Sequence, residues 1–256
     1  MSKKQKFTTV KTEAEIIAMK EGGKILYKIL HKVGGEAKEG VTMTELDARV
    51  HELCREYNVK PAFYKLYDFP GAICCSNNDE VVHGTPRDIA LKNEDIFTID
   101  LGIEHKGLMT DSAYTFVVGG KCAKKVKKFL ATVQKALDEA IKICKDGVTV
   151  QEIGRKIEDV IEVEGGYAVA DDLGGHGIGQ DVHEAPHIYN YEEKSENAVL
   201  KKGMTIAIEP IANMGGLGST TTDDDKWTIR TKDGSLSCQF EHTVLIGEKG
   251  GIILTK

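Results

Sequence analysis

EGVTMTELDARVHEL, residues 39–53, has a second version later in the same chain, DGVTVQEIGRKIEDV, residues 146–160. Each segment contains Gly-Val-Thr near its start, and each Thr is followed three residues later by Glu, which is the spacing of a capping box at a helix N-terminus. Apolar residues then recur at helical spacing in both segments. The sequence therefore predicts two equivalent amphipathic helices, capped by Thr42 and Thr149, and an internal duplication.

Two further pairs of segments support this duplication. LKNEDIFTID (91–100) matches LKKGMTIAIE (200–209), and each reads as a short apolar strand that ends in an acid. More loosely, DSAYTFVVG (111–119) matches EHTVLIGEK (241–249), and each reads as a strand that begins with an acid. Successive strands joined by turns favour antiparallel pairing, so the predicted fold class is α+β rather than a doubly wound parallel sheet.

The halves, about 39–120 and 146–250, are not separated by a linker rich in Pro, Ser or charge. We therefore expect residues 1–256 to form one catalytic domain with internal pseudo-symmetry, preceded by a short frayed tail at about residues 1–11. Thr12, with Glu three residues later, predicts one more capped helix. The two additional helices are predicted at 12–34 and 124–145.

Composition excludes several classes of protein. With 41% hydrophobic and 29% charged residues the chain is ordinary for a soluble globular protein, and its net charge of −6 argues against a nucleic-acid or membrane-surface binder. It contains no run of 18 apolar residues, and its N-terminus has no apolar signal region. Six cysteines without framework spacing indicate free thiols in a reducing cytoplasm, and we expect a monomer.

Four acids occupy matched positions in the two halves: Asp100, Asp111, Glu209 and Glu241. The alternative interpretation is four solvated acids at strand ends. Against it, Asp100 and Glu209 follow strands that look buried, and converging carboxylates repel strongly unless cations neutralise them. Two divalent ions roughly 3.5–4 Å apart could share a water, lower its pKa and polarise a carbonyl for hydrolysis. The spacing thus predicts a two-metal hydrolase.

HEAPH, residues 183–187, matches the H-E-x-x-H motif that zinc proteases carry on a helix. That chemistry needs both histidines on one face of a continuous helix. Pro186 lies inside the span and glycines precede it, so we predict that this segment is not helical and that the match is accidental. The glycines of GHGIG could also suggest a phosphate loop, but they lack a strand-loop-helix context.

Five segments together resemble the type I methionine aminopeptidases, in that family's order and over nearly the whole chain. They are NDEVVHGTP (78–86), IDLG with TDSAYTF (99–116), GGHGIGQDVHEAP (174–186), AIEP (207–210) and SLSCQFEHTV (235–244). The resemblance implies the pita-bread fold, two pseudo-symmetric halves around a dinuclear metal site. It also implies removal of N-terminal methionine from nascent proteins and peptides with a small second residue, by attack of a hydroxide that bridges the metals.

The metal ligands implied by the resemblance include all four acids and one histidine. Asp100 would bind one metal, and His176 and Glu209 the other, while Asp111 and Glu241 would bridge the two. His176 is expected in a glycine-rich turn. Four oxygen ligands and one nitrogen suit Co, Mn, Fe or Zn, and the sequence does not choose among these.

Three residues are implied as catalytic groups. His83 would lie beside the scissile bond and donate to the departing amide nitrogen, while His183 would stabilise the tetrahedral intermediate. Glu209 would be the general base, and neutral imidazoles near pH 7 suit the other two roles. His187 has no implied role, and we expect it at the surface or in a turn.

The family's methionine pocket maps onto apolar residues here. The matching positions, which with His83 and His183 form the expected substrate-binding set, are Phe63, Leu66, Phe69, Cys74, Val182 and Trp227. Leu66 stands where members often carry Tyr, and Val182 where they often carry Phe. Met109 replaces a common His and Gln180 a frequent Arg. These departures leave the breadth of second-position specificity open.

Three other kinds of protein with this fold are alternatives to a type I methionine aminopeptidase. An X-Pro aminopeptidase or prolidase shares the fold but usually carries an added N-terminal domain, and here about a dozen residues precede the first predicted helix. A type II methionine aminopeptidase would carry a large insertion between His176 and Glu209, which are only 33 residues apart. Metal-free homologues of the fold are binding proteins, but they typically lose ligands. The expected partners are nascent polypeptide N-termini, with any ribosome contact through the catalytic domain's own surface, and not nucleic acid or membrane.

Overall fold

The computed structural model describes residues 6–256. The helices are α1 (Glu13–Glu36), α2 (Met43–Glu56), α3 (Lys124–Ile143) and α4 (Val150–Glu158), which continues as a π-helical segment over Asp159–Glu164. The strands of the N-terminal half are β1 (Lys60–Pro61), β2 (Cys74–Asn77), β3 (Glu80–Val82), β4 (Ile96–His105) and β5 (Leu108–Val117). Those of the C-terminal half are β6 (Ala168–Val169), β7 (Gly174–Gly177), β8 (Glu184–Tyr189), β9 (Thr205–Ile208), β10 (Ile211–Asn213), β11 (Thr220–Thr222), β12 (Ile229–Thr231), β13 (Ser237–Gln239), β14 (His242–Leu245) and β15 (Ile252–Ile253). This composition confirms the α+β fold.

The predicted capping boxes are present at Thr12, Thr42 and Thr149. In each box the threonine hydroxyl accepts from the N–H three residues on, and the glutamate there accepts from the threonine N–H, so two otherwise unpaired donors are satisfied. The duplication extends to the backbone, because Thr42 pairs antiparallel with Ala90 and Thr149 with Val199. Each half thus contains a capped helix and an antiparallel strand pair, and a long helix, α1 or α3, precedes it.

The strand pair of the N-terminal half is longer than the sequence predicted. β4 and β5 form an antiparallel hairpin with ten residue pairs, closed at Lys106 and Gly107 with φ of 53° and 79°. Positive φ at both central residues is the geometry of a two-residue hairpin turn. Asp100 and Asp111 therefore lie within these strands, and placing them at strand ends was wrong because the hairpin continues past both acids.

The C-terminal half keeps its acids at strand ends, as predicted. β9 and β14 pair antiparallel within a sheet of order β15-β14-β9-β7-β8. Glu209 directly follows β9 and Glu241 directly precedes β14. Since Ile208 is opposite His242 in the register, the two acids leave the sheet side by side.

The two halves are joined by hydrogen bonds along β5. Ser112 Oγ donates to the carbonyl of Glu241 at 2.8 Å, and the Glu241 N–H donates to Ala113 at 2.8 Å. Each half also has its own apolar core, and Tyr114 packs against both cores. The acids of the two halves are therefore fixed relative to one another by backbone contacts.

The N-terminal segment differs from the frayed tail predicted at about residues 1–11. Residues 1–5 lie outside the described residues, but Phe7 pairs with Ala185, and Thr8 and Lys11 are buried. The prediction was wrong for 7–11, because basic and polar residues in a leading segment suggest solvation, whereas here they find partners inside the fold.

Two expectations drawn from composition can be compared with the structure. Among residues 6–256, every helix is too short or too polar to cross a bilayer. All six cysteines are free thiols.

Candidate active site

The four acids that the duplication singled out line one cavity of about 360 Å³. Asp100 and Asp111 reach it from β4 and β5, while Glu209 and Glu241 reach it from the adjoining ends of β9 and β14. Asp111, Glu241 and His176 each place one ligand atom within 4.8 Å of the other two. The structure thus brings together all five side chains expected at the metal centre.

Among residues 6–256, no lysine or arginine forms a salt bridge with these four carboxylates, and the one pairing within 4 Å is that of Glu209 with His176. Oδ1 of Asp100, Oδ1 of Asp111 and Oε1 of Glu241 are buried without a hydrogen-bond partner among the described residues. Burial raises the pKa of Asp111 to about 7 and holds those of Asp100, Glu209 and Glu241 well above their usual range, with the neighbouring acids adding to the effect for the last three. Buried, unpaired oxygens of this kind are suited to divalent cations.

His176 lies on β7, not in the glycine-rich turn that the sequence suggested. Gly174 and Gly175 form strand pairs with β8, and a Cβ at Gly175 would lie 2.1 Å from the carbonyl oxygen of Ala207, so close strand packing explains that glycine. Nδ1 of His176 lies 2.9 Å from the Gly177 carbonyl, and Nε2 lies 3.6 Å from Oε1 of Glu209. If Nδ1 donates to the carbonyl, Nε2 keeps its lone pair for a metal.

Burial also determines the protonation of His176. Its pKa is lowered to about 3, first by burial and then by the neighbouring His183. The imidazole is therefore neutral near pH 7, which is the form that binds metal ions.

Three residues around the acids were missed by the sequence reasoning. Nε2 of Gln239 donates to Oε2 of Glu209 at 3.2 Å, and Asn190 donates to the Glu209 carbonyl at 3.0 Å. The Thr243 hydroxyl exchanges two 2.8 Å hydrogen bonds with the backbone of Asp111. Gln239 could have been found, because it lies two residues before Glu241 on an extended segment, where side chains alternate between faces.

The HEAPH segment is not a helix, as predicted. Glu184 to His187 belong to β8, and His183 precedes the strand in the turn after β7. The prediction that His187 lies at the surface or in a turn was wrong: it is half-buried, lies opposite His176 in the strand register and lines the cavity. Proline and glycine excluded a helix here, but they are also compatible with short strands.

His83 and His183 line the same cavity as the acids. Burial lowers the pKa of His83 to about 4, and burial likewise lowers that of His183. The His183 ring lies 4.5 Å from that of His176, measured between centroids. Both imidazoles are neutral near pH 7, so each can donate one N–H to a substrate.

The six expected pocket residues pack together in one apolar cluster. Phe63, Phe69, Cys74 and Val182 are buried, with Leu66 and Trp227 packed against them. The Phe69 and Trp227 rings meet edge to face at 5.1 Å. Five of the six line the cavity, and Val182 belongs to the same cluster without lining it. The apolar pocket therefore opens directly onto the acids.

Comparison with known proteins agrees with this geometry. Residues 17–248 match the sequence model of the family described as "Metallopeptidase family M24". The chain belongs to this family. Among M24 relatives, a methionine aminopeptidase from Clostridium perfringens is 37% identical over 246 residues, 96% of this chain and 98% of that protein.

Solved structures extend the match to three dimensions. The crystal structure of a methionine aminopeptidase from Thermotoga maritima has a TM-score of 0.93 at 37% identity, with 98% of this chain and 100% of that one covered. A prolidase from Pyrococcus furiosus has a TM-score of 0.77 at 28% identity. The match includes 96% of this chain but only 65% of the prolidase. The fold is the pita-bread fold of these enzymes, and this M24 metallopeptidase is a hydrolase of a class that uses divalent metal.

Proposed function

We propose that this protein is a methionine aminopeptidase, which removes N-terminal methionine when the second residue is small. The observation that carries the proposal is a single cavity of about 360 Å³ in which the apolar cluster of Phe69 and Trp227 adjoins the acids. An unbranched thioether side chain suits such a pocket, because methionine adapts to apolar, aromatic surroundings. The similarity to methionine aminopeptidases over nearly the full chain supports the same substrate class.

The donor set fits two divalent ions, because three of the carboxylates keep buried oxygens without a hydrogen-bond partner among residues 6–256. We assign Asp100 to one ion, His176 and Glu209 to the other, and Asp111 and Glu241 to both. Co, Mn, Fe and Zn all suit four oxygen ligands and one nitrogen. When bound, the ions would lower the pKa of a shared water and polarise the scissile carbonyl.

The other steps belong to side chains of this protein. We assign to Glu209 the uptake of the proton from the attacking water, since Gln239 fixes one of its oxygens and leaves Oε1 free of hydrogen bonds to described side chains. His183 donates a hydrogen bond to the carbonyl oxygen as negative charge develops there, and His83 donates one to the departing amide nitrogen, which takes up the proton that Glu209 accepted when the C–N bond breaks. Because both imidazoles are neutral near pH 7, each can donate an N–H hydrogen bond and no positive charge has to be buried.

We further propose that residues 1–256 act as one catalytic domain and as a monomer. The hydrogen bonds of Ser112 and Ala113 to Glu241 support a single domain, because the ligands from both halves are held in one unit. Nascent polypeptide N-termini in the cytoplasm are the proposed substrates, and a ribosome contact would use the surface of this domain. Free cysteines agree with a reducing compartment.

A second candidate is an X-Pro aminopeptidase or prolidase activity, supported by the P. furiosus structure. Its lower identity and TM-score favour methionine removal. Cleavage of Met-Ala-Ser, Met-Leu-Ser and Ala-Pro-Ser after loading with each metal separates the two. Release of Met from Met-Ala-Ser alone supports the proposal. Preferred hydrolysis of Ala-Pro-Ser would replace it with the prolidase activity, and equal rates for Met-Ala-Ser and Met-Leu-Ser would contradict a narrow second-residue site.

A further inference from the structure

The turn between β7 and β8, residues 178–183, carries Val182 of the pocket and His183 of the proposed catalytic set. Its first residues are fixed by the backbone: Ile178 donates to the Thr205 carbonyl at 3.2 Å, and Gly179 accepts from the Met109 N–H at 2.7 Å. The second part of the turn, which bears the functional side chains, depends on a different set of contacts.

The Glu184 carboxylate holds this second part. Its Oε1 accepts the backbone N–H of Gln180 at 2.7 Å and that of Asp181 at 3.2 Å. Its Oε2 has no hydrogen-bond partner among residues 6–256 and lies 3.8 Å from Nζ of Lys11. Both side chains are almost fully buried, at 4% and 0% exposure. Burying a carboxylate costs free energy unless a cation and hydrogen-bond donors compensate it, and Lys11 supplies the cation here.

Lys11 is itself fixed on both sides. Its Nζ donates to the Thr8 hydroxyl and the Thr9 carbonyl, each at 3.1 Å. The stem lies against Gly179, where a Cβ would come within 2.4 Å of Cε of Lys11. Burial lowers the pKa of Lys11 while the Glu184 charge opposes that shift, as expected for a buried ammonium beside one carboxylate.

The segment that carries Lys11 is attached to the rest of the protein by its backbone. The Thr8 N–H donates to Ala185 at 2.6 Å, and the Lys11 N–H donates to Gly203 at 2.8 Å. The Thr8 hydroxyl also donates to the Thr205 carbonyl at 3.1 Å. Because β8 and the start of β9 are both contacted, the ammonium group has a defined position relative to the active-site strands.

We propose that Lys11 and Glu184 are positioning residues, which hold the 178–183 turn so that His183 points at the scissile peptide. This inference rests on the proposed function of His183. Lys11 is not among the residues that line the cavity, whereas Glu184 is. Neither is a proposed metal ligand, so loss of the Lys11 charge should displace His183 and leave the metal centre intact. A displacement of about 1 Å in a catalytic group is enough to lower turnover about 10²-fold.

The test begins with Lys11→Met, which keeps the apolar stem and removes the charge. At a temperature where the variant is fully folded, we expect kcat on Met-Ala-Ser to fall about 10- to 100-fold while calorimetric metal affinity stays the same. Lys202→Met is the matched control, because the Lys202 ammonium pairs with Glu248 at 3.0 Å on the exposed surface. The control should keep full kcat. A Lys11 variant that loses only thermal stability would overturn the proposal.

A double-mutant cycle with His183→Ala separates positioning from a general structural role. If Lys11 acts through His183, Lys11→Met should cause no further loss of kcat in the His183→Ala background; an equal loss in both backgrounds would overturn the proposal. Normal kcat in His183→Ala alone would instead refute the role of His183 in the proposed function. Glu184→Gln, which keeps an acceptor for the two N–H groups, enters the same cycle if Lys11→Met does not fold, and the same outcomes apply.

Discussion

Asp111→Asn should stabilise the metal-free protein, and increasingly so as the pH rises. Burial raises the pKa of Asp111 from its ordinary 3.8 to about 7, so the folded state keeps a proton that the unfolded chain releases. A group with a raised folded pKa stabilises fully below its unfolded pKa and loses that contribution as the pH rises through the folded value. Asn has nearly the same shape and does not ionise.

The magnitude follows from the interval between these two pKa values. About three pKa units at 1.36 kcal/mol each give ~4 kcal/mol between pH 4 and 7, or ~1.4 kcal/mol per pH unit. Between pH 5 and 7 the difference in stability between Asp111→Asn and the parent should therefore grow by ~3 kcal/mol. In a protein of this size, the difference in Tm between Asp111→Asn and the parent should therefore increase by roughly 10 °C from pH 5 to pH 7.

Thermal and urea unfolding in the presence of chelator, at pH steps from 5 to 7.5, measure this difference. Asp225→Asn is the matched control: burial opposes it, but hydrogen bonds from Thr228 and Trp227 lower the pKa of Asp225 to about 2. Asp225→Asn should lower the free energy of unfolding by an amount that does not change between pH 5 and 7.5. The reason is that the pKa of Asp225 lies below this range both in the unfolded chain, at 3.8, and in the folded protein, at about 2. If the difference in stability between Asp111→Asn and the parent stays constant or shrinks as the pH rises, the reasoning that burial raises the pKa of Asp111 is refuted.

Other variants test individual side chains. His176→Ala should lower metal affinity about 10- to 100-fold or more by calorimetry. His183→Ala should keep its metal and lose about 10²–10³ in kcat, the scale of one oxyanion donor. His187→Ala should bind metal normally, and failure to do so while the His176 variant binds would restore the H-E-x-x-H interpretation. Trp227→Ala should lower kcat/KM for Met-Ala-Ser about tenfold, because the substrate's methionine side chain loses part of the apolar wall that buries it, worth ~1.4 kcal/mol, and unchanged kinetics would contradict a pocket role for Trp227.

The parts of the fold that local chemistry determines were predicted from the sequence. Capping at Thr42 and Thr149 needs only a threonine, a glutamate and helical spacing, and these lie within a few residues of one another. Glu209 and Glu241 were also placed correctly at strand ends. Asp100 and Asp111 were misplaced because strand length depends on where two strands stop pairing, which a single segment does not encode.

The residues that support the site were harder to predict because their partners are distant in sequence. Gln239 orients Glu209 across 30 residues, and Lys11 approaches Glu184 from 173 residues away. A lysine in a basic leading segment is expected in solvent, since lysines are almost never fully buried unless paired. Only the folded arrangement provides the carboxylate that makes burial of Lys11 possible.

The most direct test of a metal-dependent peptidase is turnover of Met-Ala-Ser by protein that has been freed of metal and then titrated with one divalent ion at a time. Metal-free protein should release no methionine, and activity should return as ions fill sites that involve Asp111 and Glu241. Binding stoichiometry, measured by calorimetry on the same samples, should reach two ions per chain at saturation. Full turnover by rigorously metal-free protein would contradict the account.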